Sequence, residues 1–157
     1  MTFDFTGLYE FHGHRCPMST MGARLGIAAL AGLGVSKSDQ FRVEGRYFAR
    51  NCALDGIQYT TGCTLGNGNL AFEDAGRFSF VLKMRDGARG VAVDVSQGAM
   101  ARLAAHKALK AELMTEKEIS GLSRAMEIDR EIARDFDALV EWVQTASDGA
   151  LLTITGA

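Results

Sequence analysis

A chain of 157 residues, 47% hydrophobic and 23% charged with a net charge of −2, has the composition of an ordinary globular protein of about one domain, taken here as residues 1–157. That balance offers no basic footprint for nucleic acid, and no apolar run approaches the roughly 20 residues of a membrane span. Met1 to Glu10 shows no basic leader followed by an apolar stretch, so the expected location is the cytoplasm. The odd count of three cysteines, Cys16, Cys52 and Cys63, then reads as free or ligating thiols rather than a disulfide frame.

In chain order, the first distinctive segment is Phe11-His12-Gly13-His14-Arg15-Cys16-Pro17. Two imidazoles and a thiol within five residues are donors that suit a divalent transition metal, zinc first and nickel second. Gly13 permits a sharp turn, and Pro17, the only proline, suits the first turn of a helix. Cys16 thus falls at a helix start, where the thiolate form is favoured. From Met18 to Leu33 the chain is small and apolar apart from a few residues, which predicts a helix buried on most sides. Gly22 and Gly26, one turn apart, invite close backbone contact, and Gly32 and Gly34 end the helix.

Phe41, Val43, Gly45 and Tyr47 alternate with charged residues, the pattern of a half-buried strand. Asn51 reads as the cap of a helix over residues 52–61, closed by Gly62. A second alternating run, Phe78, Phe80, Leu82 and Met84, turns at Asp86-Gly87 and returns through Val91, Val93 and Val95 as a hairpin. Helix formers continue from Gln97 to Met114, and Thr115 with Glu118 reads as a capping box opening another helix. Leu122, Ala125, Ile128, Ile132, Phe136, Leu139 and Val143 stripe that helix, and Leu151 to Thr155 suggests a closing strand. The class is α+β, with a small mixed or antiparallel sheet packed against helices.

Topology nominates a partner for Cys16. A helix antiparallel to the strand that follows it brings the strand end, and hence Cys52, back to the helix start. The alternative for Cys52 is a small buried hydrophobe. Cys63 is harder to place, because an unbroken helix from Cys52 to Thr61 separates the two cysteines by about 16 Å. Either that helix breaks, or Cys63 serves the site from a twofold partner, or it lies elsewhere. The ligand candidates are therefore His14, Cys16 and Cys52, followed by His12 and Cys63. For an enzyme, Cys16 is a candidate nucleophile activated by His14, and Asp55, one turn past Cys52, a candidate general base.

The loop Thr61 to Asn69 is rich in backbone N–H groups, so Gly62, Thr64, Gly66 and Gly68 are candidates for holding an anionic or small-molecule ligand. A turn needing positive φ explains the same residues. His106, among Arg102, Lys107 and Lys110, reads as part of a solvated helix face, and Trp142 as core or dimer surface.

With these residues in view, the chain resembles the FmdE-like family, whose members are related to a component of formylmethanofuran dehydrogenase. The His12–Pro17 turn, Asn51-Cys52-Ala53-Leu54-Asp55-Gly56-Ile57-Gln58 and Thr61-Gly62-Cys63-Thr64-Leu65-Gly66-Asn67-Gly68-Asn69-Leu70 carry the resemblance, over roughly residues 5 to 95. It implies an α+β core, an intertwined homodimer and a metal-associated site drawing on all three motifs. It further implies an accessory or stand-alone relative of the molybdenum or tungsten dehydrogenase of methanogenesis. The alternative is a metal- or cysteine-dependent enzyme acting on a small molecule. Met18, Gly56 and Asn67 depart from the family's usual glycine, alanine and lysine. The lost lysine weakens anion binding at the glycine-rich loop. No cysteine follows Cys63, so the cysteine-rich C-terminal finger of many members is not expected.

Overall fold

Pro17 at the first position and Gly34, left-handed at φ 70, bound the long helix that the rest of the fold is built around. The computed structural model describes residues 3–156. The chain runs α1 (Thr6–His12), α2 (Pro17–Leu33), a 3₁₀ turn (Lys37–Arg42), β1 (Val43–Tyr47) and α3 (Ala53–Thr61). It continues through β2 (Leu70–Phe72), β3 (Ser79–Met84), β4 (Gly90–Val95), α4 (Gln97–Ile119), α5 (Leu122–Thr145), α6 (Asp148–Leu151) and β5 (Leu152–Gly156). Among the described residues no helix is long and apolar enough to cross a membrane.

The five strands form one mixed sheet in the order β2-β1-β3-β4-β5, parallel only between β1 and β2. The expected α+β class with a mixed sheet is what the structure has. Val43 and Tyr47 of β1, Phe80 and Leu82 of β3, and Val91 and Val93 of β4 face the core beside Met21, Leu25, Ala29 and Leu33 of α2. Gly45 sits opposite Leu82, and a Cβ there would lie 2.8 Å from the Phe80 ring, so the missing side chain is filled by that aromatic. The other side of β1 carries Glu44 and Arg46, which are exposed.

Two glycines set how closely α2 and α3 cross. A Cβ on Gly22 would stand 2.0 Å from the Ala53 carbonyl oxygen, and one on Gly56 2.1 Å from that of Ser19. The backbones therefore touch at Gly22, as expected of it, whereas Gly26 makes room for the Thr60 side chain. The crossing lies near the start of both helices and draws Cys16 and Cys52, their N-cap residues, together.

Arg24 locks α2 to the far end of the chain. Its guanidinium donates to the carbonyls of Val143, Gln144 and Ala146, which end α5, and to the Asp148 carboxylate at 2.7 Å. This cation is held where the last turn of a helix presents unpaired carbonyls.

The structure departs from expectation at Thr115, Phe41 and His106. The predicted break at Thr115 is absent: α4 runs on to Ile119, and the Thr115 hydroxyl donates back to the Ala111 carbonyl at 3.0 Å. A capping box needs an extended residue at its threonine, and the flanking Ala, Glu, Leu, Met and Lys all favour the helix. The true break is at Ser120 and Gly121, both extended. Phe41, expected in the first strand, lies in the 3₁₀ turn and is 72% exposed. His106 is not solvated: its Nδ1 is hydrogen-bonded to Asp135 of α5, with Arg102 3.6 Å from the same carboxyl. Its basic neighbours along α4 hid an acidic partner on the next helix.

Candidate metal centre

His12 closes α1, and Gly13, left-handed at φ 90, reverses the chain behind it with its N–H on the Tyr9 carbonyl. Cys16 then enters α2 with extended backbone, and its carbonyl accepts from the hydroxyls of Ser19 and Thr20. Thr20 Oγ1 is in turn 2.7 Å from the Tyr9 hydroxyl, which accepts from Gln144 Nε2. Cys52 arrives from β1 through a turn in which Asn51 Oδ1 accepts the Ala53 N–H at 2.9 Å. Asn51 thus makes the capping bond expected of it, although Cys52 and not Asn51 is the N-cap residue.

These paths converge. One donor atom each from His12, Cys16 and Cys52 lie within 4.8 Å of one another, the spacing needed to share a metal ion. The pairing of Cys52 with Cys16, expected from topology, is what the fold provides. Asp55, one turn along α3, places Oδ2 2.7 Å from His12 Nδ1. A carboxylate on Nδ1 leaves Nε2 as the free nitrogen and fixes the ring. That Nε2 is buried without any hydrogen-bond partner among the described residues, although a buried polar atom is ordinarily paired. A metal ion in contact with the two thiols would satisfy it, so the residues present fit the group.

Burial raises the Cys52 thiol above its ordinary range, and the charge and hydrogen bond of Cys16, followed by the Asp55 carboxylate, add to it. Two thiols and a carboxyl so close disfavour further negative charge until a cation arrives.

The other candidates lie around this group. His14 is exposed, its ring centroid 4.5 Å from that of His12 at a 35° tilt, and it is not among the clustered donors. Cys63 lies beyond the unbroken α3, with 0% exposure in the same apolar core as Tyr47, Ile57 and Leu70. Sequence reasoning ranked His14 ahead of His12 because it did not see α1, whose last residue is aimed at α3. Asp4, which accepts the Thr6 N–H at 2.9 Å, was the available signal for that helix.

The glycine-rich loop is knitted from within. Asn67 Oδ1 accepts the N–H groups of Thr64 and Asn69, Thr64 Oγ1 accepts that of Asn67, and Gln58 Oε1 accepts that of Leu65. Gly62 and Gly68 are left-handed at φ 71 in each case. Gly62, Thr64, Gly66 and Gly68 thus shape a turn whose donors largely serve the chain itself.

Burial pushes the Cys63 thiol up, with the Thr61 hydroxyl and Arg85 opposing weakly. A raised folded-state pKa means the native state holds the proton more tightly. The associated stability is complete below the unfolded thiol's value near pH 8.5 and is lost as pH rises through it, by up to about 1.4 kcal/mol per pH unit. Urea unfolding from pH 7 to pH 10.5 is expected to show this loss, and Cys63→Ala to flatten its share. An identical slope in Cys63→Ala would rule the thiol out as its source.

The comparisons agree with this architecture. The family profile described as FmdE, molybdenum formylmethanofuran dehydrogenase operon, matches residues 11–153. A probable S-adenosyl-L-methionine-binding protein of Archaeoglobus fulgidus is 38% identical over 91 residues, 55% of this chain and 25% of that protein. The chain thus spans about a quarter of the length of that curated relative. The crystal structure of a tungsten formylmethanofuran dehydrogenase FmdE-like protein from Syntrophus aciditrophicus superposes with a TM-score of 0.60 at 21% identity, over 98% of this chain and 69% of that one. That likeness shows the shared fold. With the family profile covering most of its length, the chain belongs to the FmdE family.

Proposed function

We propose that this FmdE-family protein binds a divalent transition metal, zinc first and nickel second, through His12 Nε2, Cys16 Sγ and Cys52 Sγ. The observation that carries the reading is the buried, unpartnered Nε2 of His12, oriented by Asp55 and set beside two thiols. An imidazole and two thiolates are the donors such metals take, and a carboxylate behind the histidine raises its basicity. A bound metal would supply a polarising cation there. Asp55 holds the ring, and Cys16 and Cys52 give up protons as the metal binds.

In the cell this fits an accessory or stand-alone relative of the FmdE component of the molybdenum or tungsten dehydrogenase, working as a homodimer. The apolar residues left exposed along α4 and the start of α5, including Met114, Ile119 and Leu122, support a partner surface. A second reading, an enzyme acting on a small molecule, is favoured by one observation. Among the described residues three donors cluster, and catalytic sites keep one position open.

Elemental analysis of the purified protein, followed by zinc titration against a chromophoric chelator, tests the proposal. One metal per chain is expected in the wild type and less than a tenth of that in His12→Ala. Equal metal content in the two proteins would end the reading.

A further inference from the structure

The three clustered donors leave a question about the fourth. A divalent zinc-type ion takes four ligands, all from protein in a closed structural site and three from protein in a site that exchanges ligands. The surroundings offer few further donors. Asp55 is committed to His12 through Oδ2 and to Gln58 through Oδ1. Cys63 is sealed in the core.

That leaves His14, and its situation differs from that of His12. The His12 side chain is 7% exposed and its Nε2 has no partner, so it requires a cation or a donor. The His14 ring is exposed, so water satisfies its nitrogens at no penalty and nothing compels it inward. Gly13 nevertheless holds that ring over His12, at 4.5 Å between centroids. Access has one direction: Cys16 is 8% exposed and His12 nearly closed, whereas Cys52 is half-buried and His14 open. Of the polar groups on that turn, Arg15 is paired with the Asp137 carboxylate at 2.7 Å, which leaves the His14 ring as the donor beside His12.

From this we infer that the centre keeps its fourth position for a small monoanion from solution. His14 is not a ligand but the N–H donor that holds this anion over the metal. The inference rests on the metal-centre reading above. It assigns His14 the role of a positioning residue, and the ligand class is a compact anion with one donor atom.

Cobalt(II)-loaded protein titrated with azide tests it, read by ligand-field absorption and by bound cobalt per chain. In the wild type, azide is expected to shift the visible bands saturably while the thiolate-to-cobalt charge-transfer band persists. His14→Ala is expected to keep full cobalt content and charge-transfer intensity but bind azide about tenfold more weakly, the worth of one hydrogen bond to a charged group. His14→Gln, which retains an N–H donor, is expected to recover most of that loss. Spectra indifferent to azide in the wild type, or cobalt lost from His14→Ala, would overturn the inference and show a site closed by protein. Failure of the wild type to bind cobalt or zinc at all would instead overturn the metal-centre reading.

Discussion

Cys16→Ser and Cys52→Ser are each expected to lower zinc affinity by about a hundredfold or more, while Cys63→Ser leaves it within about twofold. The size follows from four-donor structural sites, worth about 10–16 kcal/mol, or about 3 kcal/mol per donor. Serine keeps the shape of cysteine but is a far poorer donor to a soft ion. Cys63 is surrounded by the core of its own chain, so its substitution acts through folding. Placing a hydroxyl there without a partner is expected to destabilise the protein by about 1–3 kcal/mol. Chelator competition reads the affinities and urea unfolding the stabilities. If Cys63→Ser loses zinc as badly as Cys16→Ser, the ligand assignment fails.

Gly22→Ala carries the second large effect. An exposed helical glycine replaced by alanine ordinarily gains about 1 kcal/mol. Here the added methyl would meet the Ala53 backbone, which cannot rotate away as a side chain would. The expected net result is a loss of about 1–3 kcal/mol, the usual penalty of overpacking. Because the same crossing draws Cys16 and Cys52 together, zinc affinity should fall with it, even though residue 22 touches no metal. Thermal unfolding and zinc competition together check this. A stabilised variant with unaltered affinity would mean the helix backbones are not in contact.

What could be read from the chain alone follows from how local each cause is. The start of α2, the hairpin of β3 and β4 and the caps of α3 are written in neighbouring residues: Pro17, Asp86-Gly87 and Gly62 act within a turn of themselves. The meeting of Cys16 and Cys52 was also within reach, because an antiparallel helix and strand must return to the same end. The elements missed depend on distant partners. The seven residues of α1 are too few to hold a helix alone and bury only Leu8, so packing against α3 sustains it. β2 has three residues, too short to show alternation, and exists by pairing with β1. His106 found Asp135, 29 positions away on another helix. The preference for His14 over His12 shares this origin, since only the structure places Asp55 against His12.

The clasp of Arg24 on the end of α5 has a consequence for how the protein is made. Every candidate ligand lies within the first 63 residues, yet the helix that Cys16 opens is clasped by residues 143 to 148. Tyr9 and Arg15 likewise await Gln144 and Asp137. At about 5–20 residues per second, a ribosome needs several seconds or more to pass from Cys52 to Asp148. Through that interval the emerging chain offers an imidazole and two thiols without the framework that later confines them. Metal acquired during translation would therefore meet a looser set of donors than metal acquired afterwards. The order of loading, and not only the finished geometry, would then help decide which ion the protein carries.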